Sequence, residues 1–374
     1  MSYDDYDSLA AVHLIGTTGL DKDKQKDLVN GSPVDTIYRD KEKINAFGNS
    51  RLRKELGRLG VGTVITFGQE DAYRNSENGT IFAYHTYGDD KMEIGSRQEY
   101  QLGSGGIEVA RTKVLLPASL EARIPVFNGP SLRALDDKWE QYKLAPDFLP
   151  KTIKFDYGQA IDKSSIDLLQ GSRLVVKPNK SAGGSKGIRF CDRSEVFNNI
   201  AGVRDDLLNE NAKDKAILVQ EFIPGLSWAE LRGVDAENDQ TLASAKDTEL
   251  RIYCYVDRAR TIPNIQRYYA TARIWSVDGE DHWASIDQDS VPSQAWHIAD
   301  VVSDRLLAKA NVPGGYFAID LFQGDAGDGL DERIFMREVN INNPVMVAEK
   351  YNKQDYIMQS QLLANVMSKL AKQK

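Results

Sequence analysis

Short apolar runs bounded by glycine, proline and polar clusters recur along this chain and read as strands, separated by stretches with helical spacing. Residues 52–60 (LRKELGRLG) carry a helical pattern, and 61–67 (VGTVITF) follow as a buried strand. Residues 81–86 and 107–116 read as further short strands, with GSGG at 103–106 as a turn. The first 30 residues are charged and have few apolar positions after Leu20, which predicts a loose or loop-rich start. Residues 126–145 predict a strand, a turn at Asn128-Gly129-Pro130 and a helix capped by Ser131 and ended by Pro146. Strands are expected at 152–155, 174–178, 187–190 and 216–222, with a helix over 193–208. A polar excursion spans 225–247, after which ELRIYCYVD, ATARIWSV, YFAIDLF and RIFMREVN read as strands. Residues 354–371 place Ile357, Leu362, Leu363, Val366, Met367 and Leu370 near one face of a last helix, which suits packing better than a membrane or partner role.

At 374 residues the chain is too long for one compact core and fits two or three domains. Lys and Arg number 47 against 55 Asp and Glu, a formal charge of −8 that argues against a nucleic-acid footprint while leaving room for local basic pockets. Cys191 and Cys254 have no CxxC spacing, so neither a structural zinc site nor a disulfide framework is indicated. His13, His85, His282 and His297 are scattered without ligand spacing. No apolar run approaches the roughly 20 residues that span a bilayer. The opening residues are acidic where a signal peptide is basic, and a cytoplasmic protein is the simplest expectation.

Three segments carry candidate chemistry. In LVVKPNKSAGGSKGIRF (174–190), a strand delivers Lys177 into a loop containing Ser181, Gly183, Gly184, Ser185 and Gly187. Glycines let backbone N–H groups close on an anion, and Lys180 and Lys186 add charge; the same pattern also fits an exposed hairpin loop. It is not a GxxxxGK[ST] loop, because a strand rather than a helix follows. In AILVQEFIPG (216–225) a strand runs into a hinge-like Pro-Gly, where backbone around Glu221 and Ile223 can read an adenine edge with Phe222 or Ile223 against its face. A core strand ending in a turn is the competing reading. In the third, Asp320 lies on an apolar strand, and Glu338 and Asn340, two apart, share one face of the next. The turn-rich QGDAGDGLDE between them predicts an antiparallel pair that brings the three hard oxygen donors together, as magnesium requires. Asp325, Asp328, Asp331 and Glu332 lack the spacing of a calcium loop. Trp275, Trp283 and Trp296 either line an acceptor pocket or are ordinary core and surface aromatics.

In this order and at this spacing, the pieces from 126 to 344 resemble the ATP-grasp superfamily, which includes D-alanine–D-alanine ligase, glutathione synthetase and the ribosomal-protein glutamate ligases. The resemblance implies an α/β (α+β) chain: an N-terminal α/β pre-ATP-grasp domain over 1–130, a small lobe with the phosphate loop over 131–219, and a large lobe with the magnesium site over 220–374. It implies that Lys138 and Lys177 meet the phosphates of ATP, that the loop from Ser181 to Gly187 closes over them, and that Gln220, Glu221, Phe222 and Ile223 form the adenine hinge. Glu249 falls where the family contacts ribose or substrate, although the long 225–248 insertion leaves Glu230 or Asp247 as alternatives. Arg251 and Arg273 match residues that stabilise transferred phosphate or a substrate carboxylate, and Asp320, Glu338 and Asn340 match the Mg2+ ligands. The implied activity is ligation of a carboxylate to an amine, on small molecules or a peptide, through an acylphosphate. A small-molecule kinase and a non-catalytic ATP-binding module are the alternatives. Members often form dimers, so a homodimer is among the expectations; neither nucleic acid nor membrane is. Residues 1–125 match no subfamily pattern.

Overall fold

The structure, a computed structural model, describes residues 11–15, 55–60, 62–66, 80–82, 98–100, 112–114, 130–180, 187–209, 212, 214–244, 248–260, 267–275, 281–325, 333–341 and 353–372. Strands β1 (Ala11–Ile15), β2 (Gly62–Thr66) and β3 (Thr80–Phe82) form a parallel sheet with β1 in the middle. Within the first 30 residues, expected to be loose or loop-rich, AVHLI is a strand whose partners lie far along the chain, a pairing that local patterning cannot register; the other residues of that stretch lie outside the described ones. β4 (Gln98–Tyr100) and β5 (Thr112–Val114) pair antiparallel, and the turn expected at 103–106 lies outside the described residues.

The single helix expected after residue 130 is two: α1 (Pro130–Arg133) and α2 (Lys138–Leu144). Ser131 sits inside α1, and the cap of the longer helix is Asp137, whose Oδ1 accepts from the N–H groups of Trp139 and Glu140 at 3.0 Å each. The chain leaves the helical region at Ala145 (φ −137°, ψ 53°), as the following proline requires.

A four-stranded antiparallel sheet comes next, in the order β6 (Thr152–Phe155), β9 (Ile217–Glu221), β7 (Arg173–Pro178) and β8 (Arg189–Asp192). The short helix α3 (Lys163–Asp167) precedes β7, and α4 (Val196–Asn209) covers the sheet with Val196, Ile200, Val203 and Leu207. β8 begins two residues later than expected because Gly187 is still turning at φ +76°, where a Cβ would also come within 3.1 Å of Pro178.

The largest sheet has six strands: β10 (Gly225–Leu226), β11 (Thr248–Asp257), β12 (Tyr268–Trp275), β13 (Asp281–Ser285), β14 (Gly314–Gly324) and β15 (Arg333–Asn340). β11 pairs with both β12 and β14, and β15 pairs with β14. The polar excursion holds β10 and α5 (Ala236–Ser244), pinned where buried Trp228 donates from Nε1 to the Thr248 carbonyl at 2.9 Å.

Two helices cover opposite faces of this sheet. α6 (Ser293–Ala310) packs over Leu250, Ile252, Cys254 and Val256, the even positions of β11. α7 (Lys353–Lys372) packs over Tyr253, Tyr255, Tyr316 and Ala318, and also reaches β1 and β3. Leu362, Leu363, Val366, Met367 and Leu370 of α7 are buried and Ile357 is half-buried, matching the expected stripe. Odd positions of β11 thus face α7, and beyond its cover the same face continues through Arg251 to Glu249. Among the described residues no helix is long and apolar enough to cross a membrane.

Candidate active site

The site lies where the four-stranded and six-stranded sheets meet, and helix α2 aligns them. Buried Gln141 acts as a short substitute strand: its Nε2 donates to the Val339 carbonyl at 2.8 Å and its Oε1 accepts from the Val339 N–H at 2.9 Å. One helical turn earlier, Lys138 therefore stands beside Glu338, with Nζ 3.9 Å from Oε2. The N-terminal end of α2, which carries Lys138, is also tied to the end of β7. Buried Asn179 accepts from the Trp139 N–H at 3.0 Å and donates to Asp137 and Asp214 at 2.8 and 2.7 Å.

Lys177 projects from β7 and is 7% exposed, donating to Gln220 Oε1 at 2.8 Å. Gln220 is held in turn by Thr152, to whose Oγ1 its Nε2 donates at 2.8 Å. Burial, aided by the charge of Lys138, brings the Lys177 ammonium down to about 8. Of the glycine loop, Ser181, Gly183, Gly184 and Ser185 lie outside the described residues; Gly187 is at its exit.

The hinge residues carry the chain from β9 to β10. Glu221 Oε1 accepts from the Gln170 N–H at 2.5 Å, and the Phe222 ring takes the Arg173 guanidinium at 4.5 Å and the edge of Phe190 at 5.8 Å. Ile223 presses on the end of β14, where a Cβ on Gly324 would lie 2.5 Å from its Cγ2 and 3.2 Å from Phe322. Ile223 is thereby the hinge residue next to the large-sheet side of the cleft.

On the large sheet, register sets opposite charges side by side. Arg251 faces Asp320 across β11 and β14, and its Nε and Nη2 donate to the two carboxylate oxygens at 2.6 Å each. Asn340 Nδ2 donates to Asp320 Oδ2 at 2.8 Å, and Glu338 stands opposite Asp320 in the β14–β15 pair. Against its burial, the Asp320 carboxylate holds the Arg251 guanidinium above its ordinary range. Glu249 faces Arg273, with 3.6 Å between Oε1 and Nη1, and Arg337 Nη1 donates to its Oε2 at 2.7 Å. Burial, with the Asp320 charge behind it, pushes the Glu249 carboxyl up to about 7, while the three arginines oppose that rise. The Trp283 ring lies 4.8 Å from the Arg251 guanidinium and 5.4 Å from that of Arg273.

Glu249, not exposed Glu230, thus sits in the cluster; Asp247 lies outside the described residues. Trp283 reaches it, Trp296 packs instead against Tyr268 on the α6 side, and the Trp275 side chain lies outside the described residues. The sequence reading missed Arg337, Gln141 and Asn179.

Among the described residues no group of three or more His, Cys, Asp or Glu is placed to hold a metal. The trio expected for magnesium contains only two carboxylates, with an amide as the third donor. A carboxylate offers about four acceptor positions, of which Asp320 uses three here, while among the described residues Glu338 has only its long contact to Lys138. One or two carboxylates plus phosphate oxygens suffice for Mg2+, so the residues fit that ion when a phosphate supplies the rest.

Taken together, the parallel N-terminal sheet, the two antiparallel sheets and the cleft between them define an α+β chain with the ATP-grasp fold. Among solved structures the chain is similar to D-cycloserine synthetase DcsG, with a TM-score of 0.51 and 13% identity over 96% of this chain and 100% of that one. It also aligns with D-alanine–D-alanine ligase from Bacillus anthracis (TM-score 0.48, 14% identity, 97% of each chain). The macrocyclase MdnC from Microcystis aeruginosa MRC, solved with precursor peptide MdnA, aligns at TM-score 0.47 and 13% identity over 96% of this chain and 99% of that one. No protein-family model and no curated protein sequence matches the chain.

Proposed function

We propose that this chain is an ATP-dependent ligase that joins a carboxylate to an amine through an acylphosphate, on an amino acid or peptide substrate in the cytoplasm. The observation that carries the reading is the charge balance of the cleft. Five cationic side chains, Lys138, Lys177, Arg251, Arg273 and Arg337, lie among three carboxylates, Glu249, Asp320 and Glu338: Lys138 pairs with Glu338, Arg251 with Asp320, and Arg273 and Arg337 with Glu249, while Lys177 feels Lys138, Glu338 and Arg337 through space. The surplus of positive charge suits a polyphosphate accompanied by a divalent cation. The fold supports the reading, with residues 1–130 as the N-terminal domain and 131–219 and 220–374 as the lobes of the grasp.

In this account Lys138, Lys177 and the loop from Ser181 to Gly187 hold the phosphates, and Gln220 to Ile223 take the adenine. Among the described residues, buried Glu249 Oε1 has only the long Arg273 contact, leaving it to accept from a ribose or substrate hydroxyl. Asp320, Glu338 and Asn340 would hold Mg2+, which when bound neutralises phosphate oxygens. A substrate carboxylate oxygen attacks the γ-phosphorus and ADP leaves; the amine nitrogen then attacks the acyl carbon, phosphate leaves and the amine loses a proton. Arg251 and Arg273 stabilise the charge that moves in these steps, Trp283 keeping both guanidinium planes in place. No side-chain nucleophile is required.

The test is ATP turnover with magnesium against pooled carboxylates and amines, with ADP, free phosphate and product mass followed separately. Equal ADP and phosphate, with a product lighter by water than its precursors, is the expected result. ADP without free phosphate, and a product heavier by one phosphoryl group, would define a kinase instead.

A further inference from the structure

Strand β15 carries one residue more than β14 beside the candidate metal ligands. Asp320 pairs with Glu338 but Leu321 pairs with Met336, so Arg337 is the residue left over. Strict alternation would send it to the core side with Val339; a bulge re-aims the side chain that it extrudes. Arg337 instead donates to Glu249, its guanidinium 5.6 Å from the Phe322 ring and its side chain 47% exposed.

The other two arginines of the cleft are less free to move. Arg251 is 8% exposed and clamped by both oxygens of Asp320, and Arg273 is 22% exposed beside Trp283. When Arg337 leaves Glu249, Oε2 loses its hydrogen bond, but Arg273, 3.6 Å from Oε1, still balances the charge of that carboxylate. It also follows Met336 directly into Glu338, and its charge, like that of Lys138, repels the Lys177 ammonium. An anion placed among Lys138, Lys177 and Arg337 removes that repulsion.

We propose that Arg337 is a substrate-contacting residue that swings from Glu249 to the terminal phosphoryl group of the bound nucleoside triphosphate. This deepens the nucleotide reading above and rests on it. A guanidinium suits the task, since it stays charged and can meet two phosphoryl oxygens at once.

The test is calorimetric titration of the wild type, Arg337→Met and Arg337→Lys with magnesium and either a non-hydrolysable ATP analogue or ADP. Arg337→Met is expected to weaken the analogue on the order of tenfold to a hundredfold while leaving ADP affinity unchanged, with Arg337→Lys recovering part of the loss. Equal losses for the two nucleotides would reduce Arg337 to a general field effect and overturn the assignment, as would no loss for either. If Arg337→Met melts early, Arg337→Lys alone decides by the same comparison of the two nucleotides. A wild type that binds neither nucleotide overturns the underlying reading, whereas a wild type that binds both beside an indifferent Arg337→Met overturns only this one.

Discussion

The depressed Lys177 ammonium makes a quantitative prediction about nucleotide affinity. In the ligand-free protein, burial lowers its pKa from 10.5 to about 8, so Lys177 is charged at pH 7 and largely neutral at pH 9. A base whose folded pKa is depressed contributes its full stability only above the unfolded value and loses it as pH falls through the folded one. Holding the buried charge at pH 7 therefore costs the empty protein about 3 kcal/mol. A phosphate against Nζ favours the charged form and raises the pKa again, so binding above pH 8 must take up a proton. Affinity for a magnesium-bound, non-hydrolysable ATP analogue should fall about tenfold between pH 7 and pH 9, with uptake of roughly half a proton per site at pH 8. Calorimetry in buffers of different ionisation enthalpy reads both quantities. Lys177→Met should bind weakly at every pH and abolish the slope, which separates Lys177 from Glu249 titrating near 7. A flat wild-type affinity from pH 7 to pH 9, or an unchanged slope in Lys177→Met, would place Lys177 away from the bound phosphates.

Three further predictions follow from the same geometry. Glu249 has a raised folded pKa, so its contribution is complete below about pH 4.5 and is lost as pH rises through 7; Glu249→Gln should flatten the fall in Tm between pH 5 and pH 8, worth at most about 3 kcal/mol. Gln141→Leu leaves the Val339 N–H and carbonyl without their partner, which should cost about 2–4 kcal/mol in denaturant unfolding and weaken nucleotide binding by displacing Lys138. Glu338→Gln should abolish magnesium-dependent ATP turnover while melting at the wild-type temperature, and full activity in that variant would exclude Glu338 from the metal set.

Much of this arrangement was legible because it is written in local pattern. The face shared by Asp320, Glu338 and Asn340 follows from two-residue periodicity and one hairpin, and β14 and β15 have that pairing. The apolar stripe of α7 was visible for the same reason. What escaped depends on partners remote in sequence or on single-residue irregularities. β1 is five residues whose neighbours begin at Gly62 and Thr80, so nothing local marks it as a central strand. α6 went unread although Ala295, Ile298, Ala299, Val302 and Leu306 recur at helical spacing and are buried. Asp137 divides the expected single helix because its carboxylate caps α2, a role that the run of acidic residues 136–137 could have suggested. Arg337 sits where alternation assigns a core position, and only the bulge turns it into the cleft.

The central claim is that a carboxylate is activated by phosphorylation before the amine attacks. Once the pooled assay has identified the carboxylate, it should be supplied labelled with oxygen-18, and the released phosphate weighed by mass spectrometry. The released phosphate should carry one heavy oxygen taken from the carboxylate, in step with ADP and the new amide. Unlabelled phosphate beside the new amide, with the lost heavy oxygen recovered in water, would contradict it.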